Sequence, residues 1–210
     1  KSIGKAGAKR WSISVTRLVL ASESTARAKL LTGAGLTFDA RPAGVDEGDL
    51  KKSKTGMAAN DLAEVLAHAK ARVVSKESME ALVIGADQIL VCEGRIYDKP
   101  VGEKGVRSHL RSLRGRAHQL VSAVCVAEEG AIVWSHTAVA NLTMRDFDDI
   151  YLEHYIRQAG PEVQSSVGAY RLEDIGIQLF ERIEGDYFTI LGLPLLPLLA
   201  FLRQRSLLVS

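Results

Sequence analysis

Apolar residues recur along the first half of the chain in two spacings, one typical of strands and one typical of helices. Short continuous apolar runs predict strands at 17–21, 36–41 and 81–85. Apolar positions three and four residues apart predict helices at 25–32 and 57–74. A polar loop is expected through Asp46, Glu47 and Lys54. This alternation is typical of an α/β protein.

The second half predicts a long hairpin followed by irregular chain. Two alternating runs, Gln119–Ala127 and Ile132–Met144, are joined by Glu128-Glu129-Gly130. The other elements expected are helices at 103–114, 146–158 and 190–202, irregular chain at 160–176, and strands at 177–182 and 186–190. No internal repeat or low-complexity linker interrupts the pattern, which favours two lobes around one central cleft over two independent domains.

Composition and charge narrow the class of protein. The chain has 210 residues, of which 47% are hydrophobic, enough for one domain with a substantial core. Its 27 basic and 25 acidic side chains give a net charge of +2, too balanced for a stable nucleic-acid partner gripped by its backbone. Cys92 and Cys125 lie far apart in apolar runs and fit neither a disulfide framework nor a zinc site, so we expect a cytoplasmic protein.

The two ends of the chain have opposite character. Residues 1–15 are basic and lack a long apolar segment, so we expect a flexible arm outside the domain, which would occupy 16–210. The run 190–202 is strongly apolar, but it contains Pro194 and Pro197 and is shorter than the ~20 residues that span a bilayer. We therefore expect no membrane association, and a buried terminal helix with Pro194 near its first turn.

The junction between the first strand and the first helix suits an anion. Ser24 or Thr25 is a candidate N-cap, and the hydroxyls of Ser22 and Ser24 lie close in sequence to the guanidinium of Arg27. Unpaired N–H groups at a helix N-terminus, hydroxyls and a guanidinium together favour phosphate. The alternative is an ordinary capped helix with Arg27 on its solvated face.

Charged residues elsewhere are candidates for the same site. Asp87 follows a buried strand, Glu47 lies in the polar loop, and Lys70 and Lys99 precede and follow Asp87 in sequence. Carboxylates suit Mg²⁺ or Mn²⁺, while ammonium groups neutralise phosphate oxygens. The alternative for Asp87 is a structural one, in which it caps a turn or pairs with a neighbouring lysine.

An ordered series of motifs resembles the Maf family of nucleoside triphosphate pyrophosphatases. The motifs are L-A-S-x-S-x-x-R at 20–27, D-E at 46–47, A-x-x-K-A at 67–71, G-A-D at 85–87, K-P at 99–100, G-A-Y at 168–170, G-D-Y at 185–187 and G-L-P at 192–194. Each motif is weak alone, but the ordered set is specific. It extends over nearly all of the chain from Arg17 to Leu202.

The resemblance implies a fold and a reaction. The fold would be a mixed twisted sheet with flanking helices and two lobes around a central cleft, as in Maf and inosine triphosphatase-like proteins. The reaction would be hydrolysis of the α–β phosphoanhydride of a nucleoside triphosphate, with Mg²⁺ or Mn²⁺ as cofactor and a homodimer as the assembly. The implied roles are proton acceptor for Asp87, metal ligand for Glu47 and Asp87, and triphosphate binding for Ser22, Ser24, Arg27, Lys70 and Lys99.

Three positions bear on base specificity by the same resemblance. Gln88 and Glu173 resemble the 7-methyl-GTP group of the family, whereas Ala26 stands where that group usually has a tryptophan. The dTTP/UTP group would carry arginine, threonine and glutamine at these three positions. A carboxylate also complements the N1–H and N2–H donors of guanine. The alternative for Glu173 is a solvated acid beside Asp174.

Two other functions stay open at this point. One is a non-catalytic nucleotide-binding regulatory protein linked to cell division, in which the same pocket binds without turnover. The other is the dTTP/UTP-specific form of the same enzyme.

Overall fold

A single mixed sheet organises residues 17–208, the part of the chain that the computed structural model describes. Its order is β2-β1-β3-β5-β6-β7, with β4 paired to β3 beside this path. The strands are β1 (Arg17–Leu20), β2 (Asp39–Ala40), β3 (Ala81–Cys92), β4 (Arg95–Tyr97), β5 (Ala117–Glu128), β6 (Ala131–Met144) and β7 (Phe180–Glu184). The predicted α/β fold with a mixed sheet and flanking helices is confirmed.

Strand β3 continues well beyond the end of its parallel neighbour β1. Its first part runs parallel to β1 as far as the pair Leu20 and Ile84, after which β1 ends. On its other edge β3 pairs antiparallel with β5 from Val83 to Val91, and its last residues, Leu90–Cys92, pair antiparallel with β4. The prediction that the strand ends at Asp87 was therefore wrong, because pairing with β5 and β4 extends β3 to Cys92. Asp87 instead follows the point where the parallel pairing stops.

Seven helices flank the sheet in the described part of the chain. They are α1 (Thr25–Gly33), α2 (Glu47–Ser53), α3 (Ala59–Lys76), α4 (Gly102–Leu113), α5 (Asp149–Ala159), α6 (Tyr187–Ile190) and α7 (Leu195–Gln204). Short 3-10 helices at Pro161–Ser165 and Ile175–Leu179 fall within the stretches predicted as irregular chain and as the start of a strand. Pro194 is the N-cap of α7, close to its predicted place in the first turn.

Two elements differ in type from the prediction, and an aspartate cap explains both. Glu47 begins α2 instead of lying in a loop, because the Asp46 side chain accepts a hydrogen bond of 3.0 Å from the Asp49 amide. The predicted strand at 186–190 is the helical turn α6, because Asp186 accepts one of 2.8 Å from the Thr189 amide. A side-chain cap satisfies backbone donors that a short apolar pattern cannot reveal.

The core lies on both faces of the sheet. On one face α3 packs so closely that a Cβ at Gly85 would lie 2.4 Å from the carbonyl oxygen of Ala67, which only glycine avoids. On the other face Leu198 and Leu202 of α7 are buried in one cluster with the β1 and β3 side chains. The apolar terminal helix thus contributes to the core of its own chain.

The ends of the chain are described only in part. The expected arm at 1–15 lies outside the described residues, and the arrangement of 16–210 as one domain with two lobes stays a prediction. Among the helices of residues 17–208, none combines the length and the apolar character needed to cross a membrane.

A buried histidine couples this fold to pH. His118 on β5 is 2% exposed, and its Nε2 lies 2.8 Å from the hydroxyl of Tyr170. Burial lowers the pKa of His118 from 6.5 to about 4. The folded protein therefore keeps this imidazole neutral where an unfolded chain would bind a proton.

We predict that His118 makes stability fall as the pH is lowered from 6.5 towards 4. The unfolded state binds more protons in that window, so the free energy of unfolding decreases, by up to ~3 kcal/mol from this group. In His118→Gln that part of the decrease should be lost, as measured by urea unfolding at a series of pH values. The exposed His154→Gln is the control and should keep the wild-type slope. Equal slopes in all three proteins would contradict the assignment.

Candidate active site

Lys70 joins two carboxylates from separate elements. Its ammonium nitrogen lies 2.6 Å from Oε1 of Glu47, the first residue of α2, and 2.6 Å from Oδ1 of Asp87 on β3. The Lys70 and Asp87 side chains are 11% and 7% exposed, while Glu47 is 43% exposed. The structural alternative for Asp87, pairing with a lysine, is thus present. It does not exclude a catalytic role, because the pair opens towards solvent through Glu47.

The charge environment of Glu47 favours its ionised form. Burial alone would raise the pKa of Glu47, but the hydrogen bond and charge of Lys70, with the charges of Lys51 and Lys99, outweigh burial and lower the pKa from 4.5. Lys99 is exposed and acts on Glu47 through space. Lys51 was missed by sequence reasoning, since a lysine one turn after Glu47 resembles any solvated helix position.

Arg27 is buried, so its predicted alternative as a solvated surface residue was wrong. Its Nε donates to the carbonyl oxygen of Gly192 at 2.8 Å, and its Nη1 donates to the carbonyl oxygen of Ala86 at 2.9 Å and to Ser22 Oγ at 3.1 Å. Burial lowers the pKa of Arg27, while the charges of Asp87 and Glu47 oppose that decrease. Among residues 17–208, Nη2 has no hydrogen-bond partner and can donate to a ligand.

The two serines of the turn have different tasks. Ser24 is the N-cap of α1, and its Oγ accepts a hydrogen bond of 3.4 Å from the Arg27 amide. Ser22 Oγ accepts from the Ser24 amide at 3.2 Å as well as from Arg27, so its own O–H remains to donate. Ser24 thus caps the helix, whereas Ser22 accepts from both the turn and the guanidinium.

The early end of β1 explains why these groups meet. Beyond Ile84 the edge of β3 is no longer covered by β1, and the turn after β1 occupies that space, where Arg27 bonds to Ala86. Side chains alternate across a strand, so Asp87 lies on the face covered by α3, and Gln88 lies on the face covered by α1 and α7. The site spans both faces around this open edge.

The three predicted specificity positions have different surroundings. Gln88 donates through Nε2 to Ser122 Oγ and to two backbone carbonyl oxygens of α6. Glu173 accepts from Arg171 Nε at 3.2 Å. Ala26 is half-buried in the first turn of α1. Only Gln88 is thus held by several elements at once.

Contacts unite some of the predicted residues but not all of them. Hydrogen bonds, ion pairs or charge interactions connect one group, which consists of Ser22, Ser24, Arg27, Glu47, Lys70, Asp87 and Lys99. Gln88 adjoins this group through Gly192, where a Cβ would lie 3.4 Å from Arg27 Nη2 and 3.7 Å from Gln88 Cδ. Within the described chain, no hydrogen bond or ion pair connects Glu173 to the group.

The motifs at 185–187 and 192–194 belong to a segment that closes the site, a role that the sequence analysis did not assign to them. Gly192 accepts from Arg27, and the carbonyl oxygens of Thr189 and Ile190 accept from Gln88. Backbone acceptors leave no side-chain signature. The aspartate at 186 with a threonine three residues later was the available signal, because it marks a capped turn.

The donor set fits a hard divalent cation in part. Glu47 and Asp87 supply carboxylate oxygens, and Mg²⁺ is commonly held by one or two carboxylates with the remaining ligands from phosphates and water. Residues 17–208 contain no group of three or more His, Cys, Asp or Glu side chains that could hold a metal ion by themselves. A bound phosphate would therefore have to complete the coordination.

Fold and site together define an α/β protein that gathers cationic donors and carboxylates at the open edge of a mixed sheet. The chain matches the Maf-like protein family over residues 17–205, and it belongs to that family.

Curated relatives are similar over almost their whole length. A nucleoside triphosphate pyrophosphatase of Nitrobacter hamburgensis is 49% identical over 91% of this chain and 95% of its own. A nucleoside triphosphate pyrophosphatase of Paramagnetospirillum magneticum is 50% identical over 91% of this chain and 100% of its own. A 7-methyl-GTP pyrophosphatase of Rhizobium meliloti is 48% identical over 89% of this chain and 95% of its own.

We predict that Lys70→Met raises the pKa of the Glu47 carboxyl. The substitution removes the hydrogen bond and the nearest charge that oppose the effect of burial. Titration of the side-chain carboxyl carbon by NMR measures the change. Lys52→Met is the control, because Lys52 is exposed and pairs with Asp49 instead. A Glu47 titration that is the same in wild type and Lys70→Met would contradict the described ion pair.

Proposed function

We propose that this protein hydrolyses the α–β phosphoanhydride of a nucleoside triphosphate with a guanine-type base, such as 7-methyl-GTP, and releases the monophosphate and pyrophosphate. Family membership makes it a nucleoside triphosphate pyrophosphatase, a hydrolase of phosphoanhydrides. The observation that carries the proposal is the Lys70 ammonium between Glu47 and Asp87, with buried Arg27 beside them.

The cationic groups are suited to a triphosphate. Arg27 is held through Nε and Nη1, which leaves Nη2 for a phosphate oxygen. Lys70, Lys99 and the Ser22 hydroxyl add donors from other sides. Negative charge moves onto the departing pyrophosphate during the reaction, so donors fixed in advance stabilise the transition state more than the ground state.

Asp87 is the proposed proton acceptor for the attacking water. Its Oδ1 accepts from Lys70, and Oδ2 is the oxygen proposed to take the proton. A divalent cation held by Glu47 and Asp87, Mg²⁺ or Mn²⁺, would supply charge neutralisation of the phosphates. Positioned proton transfer of this kind typically contributes about 10²–10⁴ in rate.

The proposed preference for guanine rests on a carboxylate that can accept hydrogen bonds from the base. Glu173 is held by Arg171 at 3.2 Å, and a carboxylate accepts from both N1–H and N2–H of guanine. The names of several relatives as 7-methyl-GTP pyrophosphatases support this preference. Ala26 provides no aromatic ring to stack on a methylated base, so unmethylated guanine nucleotides fit the site as well.

We further propose a homodimer in the cytoplasm. The exposed Leu196 on α7 supports the dimer, because it offers an apolar contact on a helix whose Leu198 and Leu202 are already used by the core. Tight nucleotide binding without turnover, with every base and divalent cation tried, would support the non-catalytic regulatory function instead.

We predict that the protein releases pyrophosphate and monophosphate from nucleoside triphosphates, and only with a divalent cation. Asp87→Asn should lower kcat by about 10²-fold or more, since it removes the proton acceptor. The products are separated by ion-exchange chromatography, with and without a chelator. Asp149→Asn, which alters an exposed carboxylate paired with Arg111 on another part of the surface, is the control. Release of orthophosphate and diphosphate would overturn the assigned bond.

We predict that kcat/KM is higher for GTP and 7-methyl-GTP than for UTP and dTTP. In Glu173→Gln this advantage should decrease about tenfold, because a charged acceptor is lost. The measurement is kcat/KM for all four nucleotides. Asp174→Asn is the matched control, since this neighbouring acid also pairs with Arg171. Equal effects of the two substitutions would favour the solvated-acid alternative for Glu173.

A further inference from the structure

The side-chain amide of Gln88 is held by three acceptors. Its Nε2 lies 3.0 Å from Ser122 Oγ, 3.1 Å from the carbonyl oxygen of Thr189 and 3.0 Å from that of Ile190. Ser122 is opposite Gln88 in the register of β3 and β5, is fully buried, and donates to the Thr189 oxygen at 2.8 Å. The hydroxyl therefore accepts from the amide and donates to the same carbonyl that the amide approaches.

These contacts fix the orientation of the amide. Two carbonyl oxygens can only accept, so the nitrogen of Gln88 must face them and the oxygen must face away. Both N–H groups are used by three acceptors. Within residues 17–208, Oε1 of Gln88 has no hydrogen-bond partner. Gln88 can therefore offer an incoming ligand an acceptor, but not a donor.

The same segment also holds Arg27. Gly192 accepts from Arg27 Nε, and a Cβ on Gly192 would lie within 3.7 Å of both Arg27 and Gln88. Gly192 has φ +88°, a conformation that favours glycine. The turn from Asp186 to Gly192 thus sets the positions of a phosphate-binding residue and a specificity residue together.

We propose that Ser122 is a positioning residue for base selection, acting through Gln88. Ser122 adds a third acceptor to the two carbonyl oxygens that orient the amide, and it holds one of these carbonyls by donating to Thr189, so that Gln88 Oε1 stays available to accept from a base donor. The proposal rests on the proposed function and names a residue within its specificity. Without the hydroxyl, the Gln88 amide loses one acceptor, and the Thr189 carbonyl loses one donor.

The test is the ratio of kcat/KM for GTP to that for UTP. In Ser122→Ala we expect this ratio to move towards one by about three- to tenfold, mainly through KM, with kcat nearly kept. Ser122→Cys keeps a similar volume but bonds weakly, and should shift the ratio in the same direction. It also provides a second protein should the alanine variant fail to fold.

Ser75→Ala is the matched control. Ser75 is also fully buried and accepts a hydrogen bond of 3.0 Å from the Gly130 amide, away from the Gln88 network. Its loss should lower Tm without changing the ratio. In a double-mutant cycle, Ser122→Ala should have little further effect on the ratio in a Gln88→Leu background.

The outcomes separate this proposal from the proposed function. Absence of pyrophosphate release from any nucleotide by the wild-type protein would overturn the proposed function itself. Turnover by the wild type with an unchanged ratio in both Ser122 variants would overturn only the positioning role. If Ser75→Ala and Ser122→Ala shifted the kcat/KM ratio equally, the effect of Ser122 would be one of general stability, and the positioning role would again be overturned.

Discussion

The structure depends on a difference in length between two neighbouring parallel strands. β1 ends at Leu20, while its partner β3 continues beyond Ile84 as far as Cys92. A backbone edge left open in this way exposes polar groups that must be satisfied. Arg27 satisfies the Ala86 carbonyl, and by doing so it brings a guanidinium into the interior next to two carboxylates. The buried position of this guanidinium thus follows from the requirement of a backbone carbonyl for a hydrogen-bond donor.

Burial and charge act against each other throughout this site. Burial lowers the pKa of Arg27 and opposes ionisation of Glu47, and neighbouring opposite charges compensate in both cases. Lys70 has a central place because it touches both carboxylates at once. Such groups are costly to bury alone and are stable only together.

The sequence was informative where periodicity or residue chemistry carries the signal. The strands of the hairpin, the helix that bears Lys70 and the serine turn were predicted close to their observed places, because each has a strong apolar pattern or cap. The length of β3 and the nature of α6 were not predicted. Pairing with β5 decides the first and the Asp186 cap decides the second, and both depend on contacts that a one-dimensional pattern does not contain.

The carbonyl of Gly192 has a consequence for the order of events in the cell. Arg27 belongs to the first helix, yet its Nε partner is 165 positions further along the chain. During synthesis, the guanidinium is made long before the oxygen that anchors it. A ribosome-bound chain that has not yet produced Gly192 lacks the acceptor for Nε, and only Ser22 and Ala86 can accept from the guanidinium through Nη1. The full set of acceptors around the buried Arg27 is therefore complete only after this glycine has been added to the chain.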